Sequence, residues 1–548
     1  MMMKKAVCLC VLALVAFTAC QKEEGGLLLF VEDIDNGSKM AVDGNVLYWT
    51  TGDQVRINGD IATVNITTSG NTATTTVNVA EANTYYGVYP ASIYSSNTNA
   101  SYTLFLPATY TYATTTRSGR TYQNLQGPMV GYTTNRDMMF KHVTAAVNVQ
   151  IVNYYGFTIA VDSIVVSSDS YKLNGSVTVD MTNVNVTAQT SSTEGEKNVK
   201  MLFNGDADLH VFAGDSTIVQ VPVLPVGSGN HFTVKVCVHK VDQSAVETTF
   251  EKTQNAGGAL ARAKVGYARF ATPGLFSVSA SKKVVISQGN LQYQASTGIW
   301  KFSDTQYGMI GSDNTNISSS YTGWIDLFGW GTSSWNNGNK CYQPYSSSNA
   351  TSGDYASSKG FGYGPTDGST YTYSLTGEYS NSDWGVYATI SNGGGKGRWV
   401  TMTGNTGGEW DYLLSTRSAS TINSTTNARY IQATVNAVQG IILFPDSYSH
   451  PEGVTLPNQI NKSNNYWATN TYNLTDWLSM EKAGAVFMPR AGYRQGTAFT
   501  SGDVYYWSST ANGSGYAYAT RLGPYGNSFT TGNNRYRGNS VRLVREVN

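Results

Sequence analysis

Between residues 27 and 271 the chain returns again and again to one pattern, short runs of Val, Ile, Thr and Tyr in which apolar and polar residues alternate. ATTTVNVA (73–80), TAAVNVQIVN (144–153), STIVQVPVLPV (216–226) and HFTVKVCVHK (231–240) are examples. A period of two puts every second side chain on the same face of an extended strand, so such runs need sheets with one face buried. Clusters of Gly, Asn, Asp and Ser separate the runs and supply the turns. The region holds about 245 residues, enough for two β-sandwiches, which we place at 27–154 and 155–271.

Composition changes sharply after this region. Of 11 tryptophans only Trp49 precedes residue 275, whereas of five histidines only His450 follows it. Thr272-Pro273-Gly274 marks the change and reads as a turn or linker. Residues 275–548 read as an α+β unit. VVISQGNLQYQ (284–294) opens it as a strand and SVRLVREV (540–547) closes it. SDWGVYATI (382–390), EWDYLLSTR (409–417) and TDWLSMEKA (475–483) are the helix candidates, the last with a Thr-Asp cap. The whole chain is therefore expected to be mainly β.

At the start, Lys4 and Lys5 precede a short apolar run from Ala6 to Ala19. That layout predicts a secretory signal over residues 1–19, too short to span a bilayer comfortably. No later stretch approaches 18 apolar residues. Lys plus Arg and Asp plus Glu both number 36, so the formal net charge is zero, and nothing offers the basic surface that nucleic acid demands. Cys8 and Cys10 lie in the signal; Cys237 reads as a strand residue, and with Cys341 it makes no disulfide framework.

The residues that carry chemistry are sparse. Glu409 and Asp411 lie two apart on a helix candidate and so face different ways, which does not suit paired carboxylate catalysis. Asp476 and Glu481 read as helix cap and helix surface. His142 alternates with apolar neighbours and reads as a buried, hydrogen-bonded histidine; His450 sits in a Pro-flanked loop. Gly393-Gly394-Gly395 before Lys396 lacks the spacing of a phosphate loop and reads as a turn. No catalytic residue, cofactor or metal is expected, and the chain is not expected to be an enzyme. Aromatics are the one feature with binding potential: Trp324, Trp330, Trp335, Tyr505, Tyr506 and Trp507 in loop-like segments, and Tyr516, Tyr518 and Tyr525 in GSGYAYATRLGPYG (513–526). For the WIDLFGWG segment (324–331) we favour internal packing; the ligand-binding assignment falls on Tyr516, Tyr518 and Tyr525.

Several motifs resemble known families. Phe17-Thr18-Ala19-Cys20 resembles the lipobox of bacterial lipoproteins, which implies lipid attachment at Cys20. The charged spacer Gln21 to Gly26 resembles the signal that directs Bacteroidetes lipoproteins to the outer face of the outer membrane. Residues 20–26 would then link lipid to fold, and the outer membrane would be a partner through that lipid. WTTGD (49–53), YYGVYPAS (85–92), QGPMVG (126–131) and FKHVTAAV (140–147) occur in the order seen in fimbrillins, the subunits of type V pili. That resemblance implies fimbrillin-like sandwiches, other subunits as partners through strand donation, and proteolytic processing after a basic residue, for which Lys39 is the candidate. SQGNLQY (287–293), GWIDLFGWG (323–331), DWG (383–385), GAVFMP (484–489), AGYR (491–494), YWSS (506–509) and SVRLVR (540–545) resemble a C-type-lectin-like domain of the Fibrobacter major paralogous type. Gln343-Pro344-Tyr345 and Trp335-Asn336-Asn337 only echo the calcium loops of true lectins and lack their carboxylate. Together these resemblances imply a surface lipoprotein acting in adhesion as a pilus component, a tip subunit with a host glycan or protein as ligand. The alternative is a stand-alone glycan-capturing lipoprotein of a polysaccharide-uptake system.

Overall fold

The computed structural model describes residues 26–547 apart from 33–48, 50–51, 70–71, 99, 118–119, 124–126, 185–194, 204–208, 242–246, 254–256, 317, 337–341, 346–372, 503, 514 and 524–525. Strand accounts for 46% and helix for 8%, so the protein is mainly β, as its alternating sequence requires. Cys20, Lys39, Cys341 and Tyr525 lie outside the described residues.

The first large sheet has eight strands in the order Asp60–Thr63, Gln54–Ile57, Tyr85–Tyr89, Met129–Thr133, Asp137–His142, Leu27–Val31, Thr72–Val77 and Asn65–Ser69. Leu27–Val31 is thus an interior strand, parallel to Asp137–His142 and antiparallel to Thr72–Val77. One sheet face buries Leu27, Leu29, Val55, Ile57, Met138 and Phe140. Trp49 joins this core edge-on to Phe140, ring centroids 5.1 Å apart. The other face meets a three-stranded sheet (Gly175–Asp180, Ser101–Leu106, Tyr94–Thr98) through Val88, Val130, Tyr102, Leu104 and Val177. His142 is buried as expected, with Nε2 3.1 Å from the Glu32 carbonyl oxygen.

In the next layer, Ala145–Val152 pairs antiparallel with Ser216–Val223 and parallel with Val265–Ala271. The facing sheet runs Glu247–Thr253, Phe232–Lys240, Ile159–Ser168, Asn198–Leu202 and Thr109–Thr111. Val147, Val149, Ile164, Val221, Val234 and Val236 fill the space between. Pairing crosses residue 154 in both directions: Thr109–Thr111 and Ala145–Val152 belong to this second pair of sheets, while Gly175–Asp180 closes the first. The two layers of sandwich are interleaved in sequence, a pattern that local periodicity cannot reveal.

Past the linker, Lys283–Ile286 pairs antiparallel with Leu543–Val547, so opening and closing strands meet as read. Among the described residues, short sheets and short helical segments complete the region, including the α-helical pieces Trp384–Tyr387, Glu409–Asp411 and Leu474–Lys482. The last begins one residue earlier than expected. Asn473 caps it by accepting from the Asp476 amide at 2.9 Å, and Asp476 reaches back to the Asn473 amide. Glu481 is not on the helix surface: it is buried and accepts from Gln306 Nε2 at 2.8 Å. Trp330, Trp384, Trp399, Trp410, Trp467, Trp477 and Trp507 are all fully buried. Little regular sheet is available here, so large rings fill the interior, and the indole N–H groups of three of them tie down backbone carbonyls. Trp330 donates to Ser508 O, Trp507 to Phe328 O and Trp399 to Gly393 O, each at 2.7 Å.

This region docks closely on the second sandwich. Asp215 pairs with both Arg398 and Arg545, and the Tyr155 hydroxyl donates to Lys482 O at 2.7 Å. At Gly156 a Cβ would stand 1.8 Å from the Ile286 carbonyl oxygen, so only glycine allows this approach.

Candidate binding surface

Tyr516 and Tyr518 project from one strand, Tyr516–Gly523, between Val504–Ala511 and Gly526–Asn534. Ala517 and Ala519 are fully buried, so Tyr516 and Tyr518 share the outward face by the two-residue period. Tyr516 is 49% exposed and Tyr518 half-buried. Opposite Tyr518 stands Gly532, where a Cβ would meet the Asn512 side chain at 2.6 Å, so that amide lies over the glycine.

A buried arginine fixes this end of the sheet. Arg535 donates from Nε to Tyr516 O at 2.9 Å and from Nη2 to Gly513 O at 2.8 Å, while its guanidinium lies 4.5 Å over the Trp330 ring. The Asn512 amide closes the turn onto Tyr516 O at 2.9 Å. Beneath Tyr518, Ser508 Oγ donates to its carbonyl at 2.8 Å, and Gly404 packs so near that a Cβ would meet Ser508 Oγ at 2.4 Å. Two tyrosines on a pinned strand are a rigid contact surface whose ordering costs little entropy on binding.

The structure adds two rings that sequence reasoning missed. Leu375 N donates to Ser509 O at 2.7 Å and Ala511 N to Ser374 Oγ at 3.1 Å, which lays the 373–376 segment along the outer strand. Tyr373, 47% exposed, packs at a tilt of 35° against Tyr379 with centroids 5.0 Å apart at the same end of the sheet. Nothing in the local sequence signals this placement, because it rests on two hydrogen bonds to a strand more than 130 residues away.

Other aromatics singled out from the sequence are structural. Tyr505, Tyr506 and Trp507 are buried, as is Trp330. The strand Val504–Ala511 is covered on both faces, Tyr505 and Trp507 entering one core and Val504 and Tyr506 another. Its unbroken apolar start VYYW is the mark of such a strand. Trp324 and Trp335 are half-buried, Trp324 beneath Lys301 Nζ at 4.8 Å.

The carboxylates are committed elsewhere. Glu409 pairs with Lys282 at 2.7 Å and accepts from Thr403 N; Asp411 accepts from Gly407 N at 3.0 Å. Burial pushes Asp326 up to about 6, despite donors from Asn314 and the Ile310 amide. Asp383 is likewise pushed up to about 6 by burial, although it accepts from Thr401 and Gly385 and caps the helix that follows. Both are buried and brace the backbone around them. His450 is held by Tyr448 and by Val454 O. Among the described residues, no group of three or more His, Cys, Asp or Glu is placed to hold a metal.

No protein-family model matches the chain, and no curated protein matches it. Among solved structures, a candidate cell adhesion protein from Bacteroides ovatus aligns at 10% identity and a TM-score of 0.26, covering 46% of this chain and 92% of its own. A candidate cell adhesion protein from Bacteroides fragilis gives 10% and 0.26, covering 54% and 95%. A fimbrial protein from Bacteroides ovatus gives 11% and 0.21, covering 95% and 99%. Likenesses this faint leave the function to be argued from the chain's own geometry.

Proposed function

We propose that this protein is a surface adhesin, anchored through lipid at Cys20, that presents its ligand-binding surface on the C-terminal region. The exposed pair Tyr516 and Tyr518, on a strand pinned by Arg535, carries this reading. Flat rings on a rigid strand suit the faces of a host glycan or a protein ligand. The reading takes the C-terminal region as a C-type-lectin-like domain, supported by the pairing of Lys283–Ile286 near its start with its last strand, Leu543–Val547.

A pilus role, with this chain at the tip, is supported by Leu27–Val31. This strand lies inside the eight-stranded sheet, and Lys39 follows it in sequence. The lipid at Cys20 would hold the uncut chain; cleavage after Lys39 would separate the fold from it and leave Leu27–Val31 held only by noncovalent contacts. Its loss would unpair Asp137–His142 and Thr72–Val77 and open a groove for a donated strand.

Adhesion of cells displaying the protein to a mucin-coated surface tests the binding surface. Tyr516→Ala with Tyr518→Ala is expected to lower retention several-fold without changing the amount displayed; unchanged retention refutes the assignment. Mass spectrometry of purified filaments and outer membrane tests the pilus role. A chain found in filaments and cut after Lys39 supports it, while a chain confined to membrane with Lys39 uncut refutes it.

A further inference from the structure

Between the second sandwich and the C-terminal region lies a cleft of about 340 Å³. Thr158, His210, Phe212 and Lys240 line one side; Gln288, Asp304, Ser391 and Asn392 line the other. The volume falls in the range of small-ligand pockets, which favour such joints. Its walls are fixed to each other, by Asp215 holding Arg398 and Arg545 and by Lys240 Nζ donating to Asp304 O at 3.0 Å.

The charged groups of the cleft are already used. Besides Lys240, the Asp304 carboxylate pairs with Lys301 at 2.8 Å. The Asn392 amide accepts from Phe302 N at 2.8 Å and donates to Phe302 O at 2.9 Å. Uncharged capacity is what remains. Gln288 is only 7% exposed and its Nε2 donates to Ser303 O at 3.2 Å, while its Oε1 has no partner among the described residues. That acceptor is not sealed from solvent, so a ligand hydroxyl would take the place of water on it. The Thr158 and Ser391 hydroxyls and the His210 ring also lack side-chain partners among the described residues. Phe212, 38% exposed, adds an apolar flat surface.

We propose that this cleft binds a single neutral sugar residue, independently of the tyrosine surface. Sugar hydroxyls would donate to Gln288 Oε1 and exchange hydrogen bonds with Thr158, Ser391 and His210, and a C–H face would rest on Phe212. A charged ligand would have to compete with the existing Lys240 and Asp304 pairings.

Saturation-transfer NMR on the purified protein tests this with D-glucose, D-galactose, D-mannose, N-acetyl-D-glucosamine and L-fucose. At least one is expected to bind, and His210→Trp, which fills the cleft from an exposed position, should weaken it by about tenfold or more. Ser391→Trp blocks from the opposite wall and should do the same. Thr158→Val removes one hydroxyl at nearly constant volume and should weaken binding several-fold, an independent reading should either tryptophan disturb the joint. Absence of binding by all five sugars overturns the proposal. So does binding that survives both tryptophans, which would place it on another surface.

Discussion

The first strand is locked at its end by Glu32, and the strength of that lock is measurable. Glu32 accepts from Arg262 Nη1 at 2.6 Å, from Arg262 Nη2 at 3.0 Å and from the His142 amide at 3.1 Å. Arg262 Nη1 also reaches His142 O at 3.2 Å. Burial opposes ionisation of Glu32, but the Arg262 hydrogen bonds and charge outweigh it and hold its pKa below the ordinary value. A bond to a charged group contributes roughly 1.5–3 kcal/mol when shielded. Both side chains here are about one-quarter exposed, so the lower end applies. Glu32→Gln keeps the shape and is expected to cost about 2 kcal/mol, Arg262→Gln about the same. The double variant should cost only about 3 kcal/mol, leaving a coupling near 1 kcal/mol. Urea denaturation gives the three values without screening the charges, and hydrogen exchange at the Leu28 and Glu32 amides, which bond to Arg136 O and Phe140 O, reports the strand itself. If the two single costs add to within about 0.4 kcal/mol, the pair does not act as a lock and the reasoning fails.

The same seam and the C-terminal region should respond to pH in opposite directions. Burial lowers the pKa of His142 below its ordinary 6.5, against the pull of Glu32. The unfolded chain therefore takes up its proton first, and the first sandwich should lose stability as pH falls through 6.5. Asp326 and Asp383, raised from 3.8 to about 6, bind protons more readily when folded, so their region should lose stability as pH rises from 4 to 6, by at most about 3 kcal/mol each. Tryptophan fluorescence during urea unfolding isolates that region, which holds ten of the 11 tryptophans; a slope of the other sign refutes the assignment. Gly156→Ala should displace the joint with the C-terminal region and cost about 1–3 kcal/mol, read as a lower urea midpoint; an unchanged midpoint would show that the backbone yields freely. Arg535→Leu should loosen the turn that holds Tyr516, raising amide exchange at Gly515 and Tyr516 and lowering adhesion, while exchange that stays slow would dismiss Arg535 as the pin.

The sheet content and the opening and closing strands of the C-terminal region were legible because each rests on a local period, whereas the stretch 382–390, read as one helix, is helical only over Trp384–Tyr387 and ends in the strand Thr389–Ile390. Tyr505, Tyr506 and Trp507, read as loop aromatics with binding potential, are instead buried in a strand, and VYYW breaks alternation in the way a doubly covered strand does. Tyr516 and Tyr518 were legible as a pair because they lie two apart between small alanines that turn inward. Tyr373 beside them was not, nor was the burial of Glu481, since each depends on contacts between residues far apart in the chain.

The sequence alone determined which stretches extend, which residues face inward along each strand, and where the tryptophan-rich region begins. Those choices follow from side-chain period and polarity, which act over a few residues. Tertiary structure alone decided that Gly175–Asp180 returns to the first sandwich while Ala145–Val152 enters the second, and that Asp215 joins Arg398 and Arg545 across the joint. Backbone hydrogen bonding is the same for any two strands of matching length, so partner choice falls to the packing of whole faces, which exists only once the chain has folded.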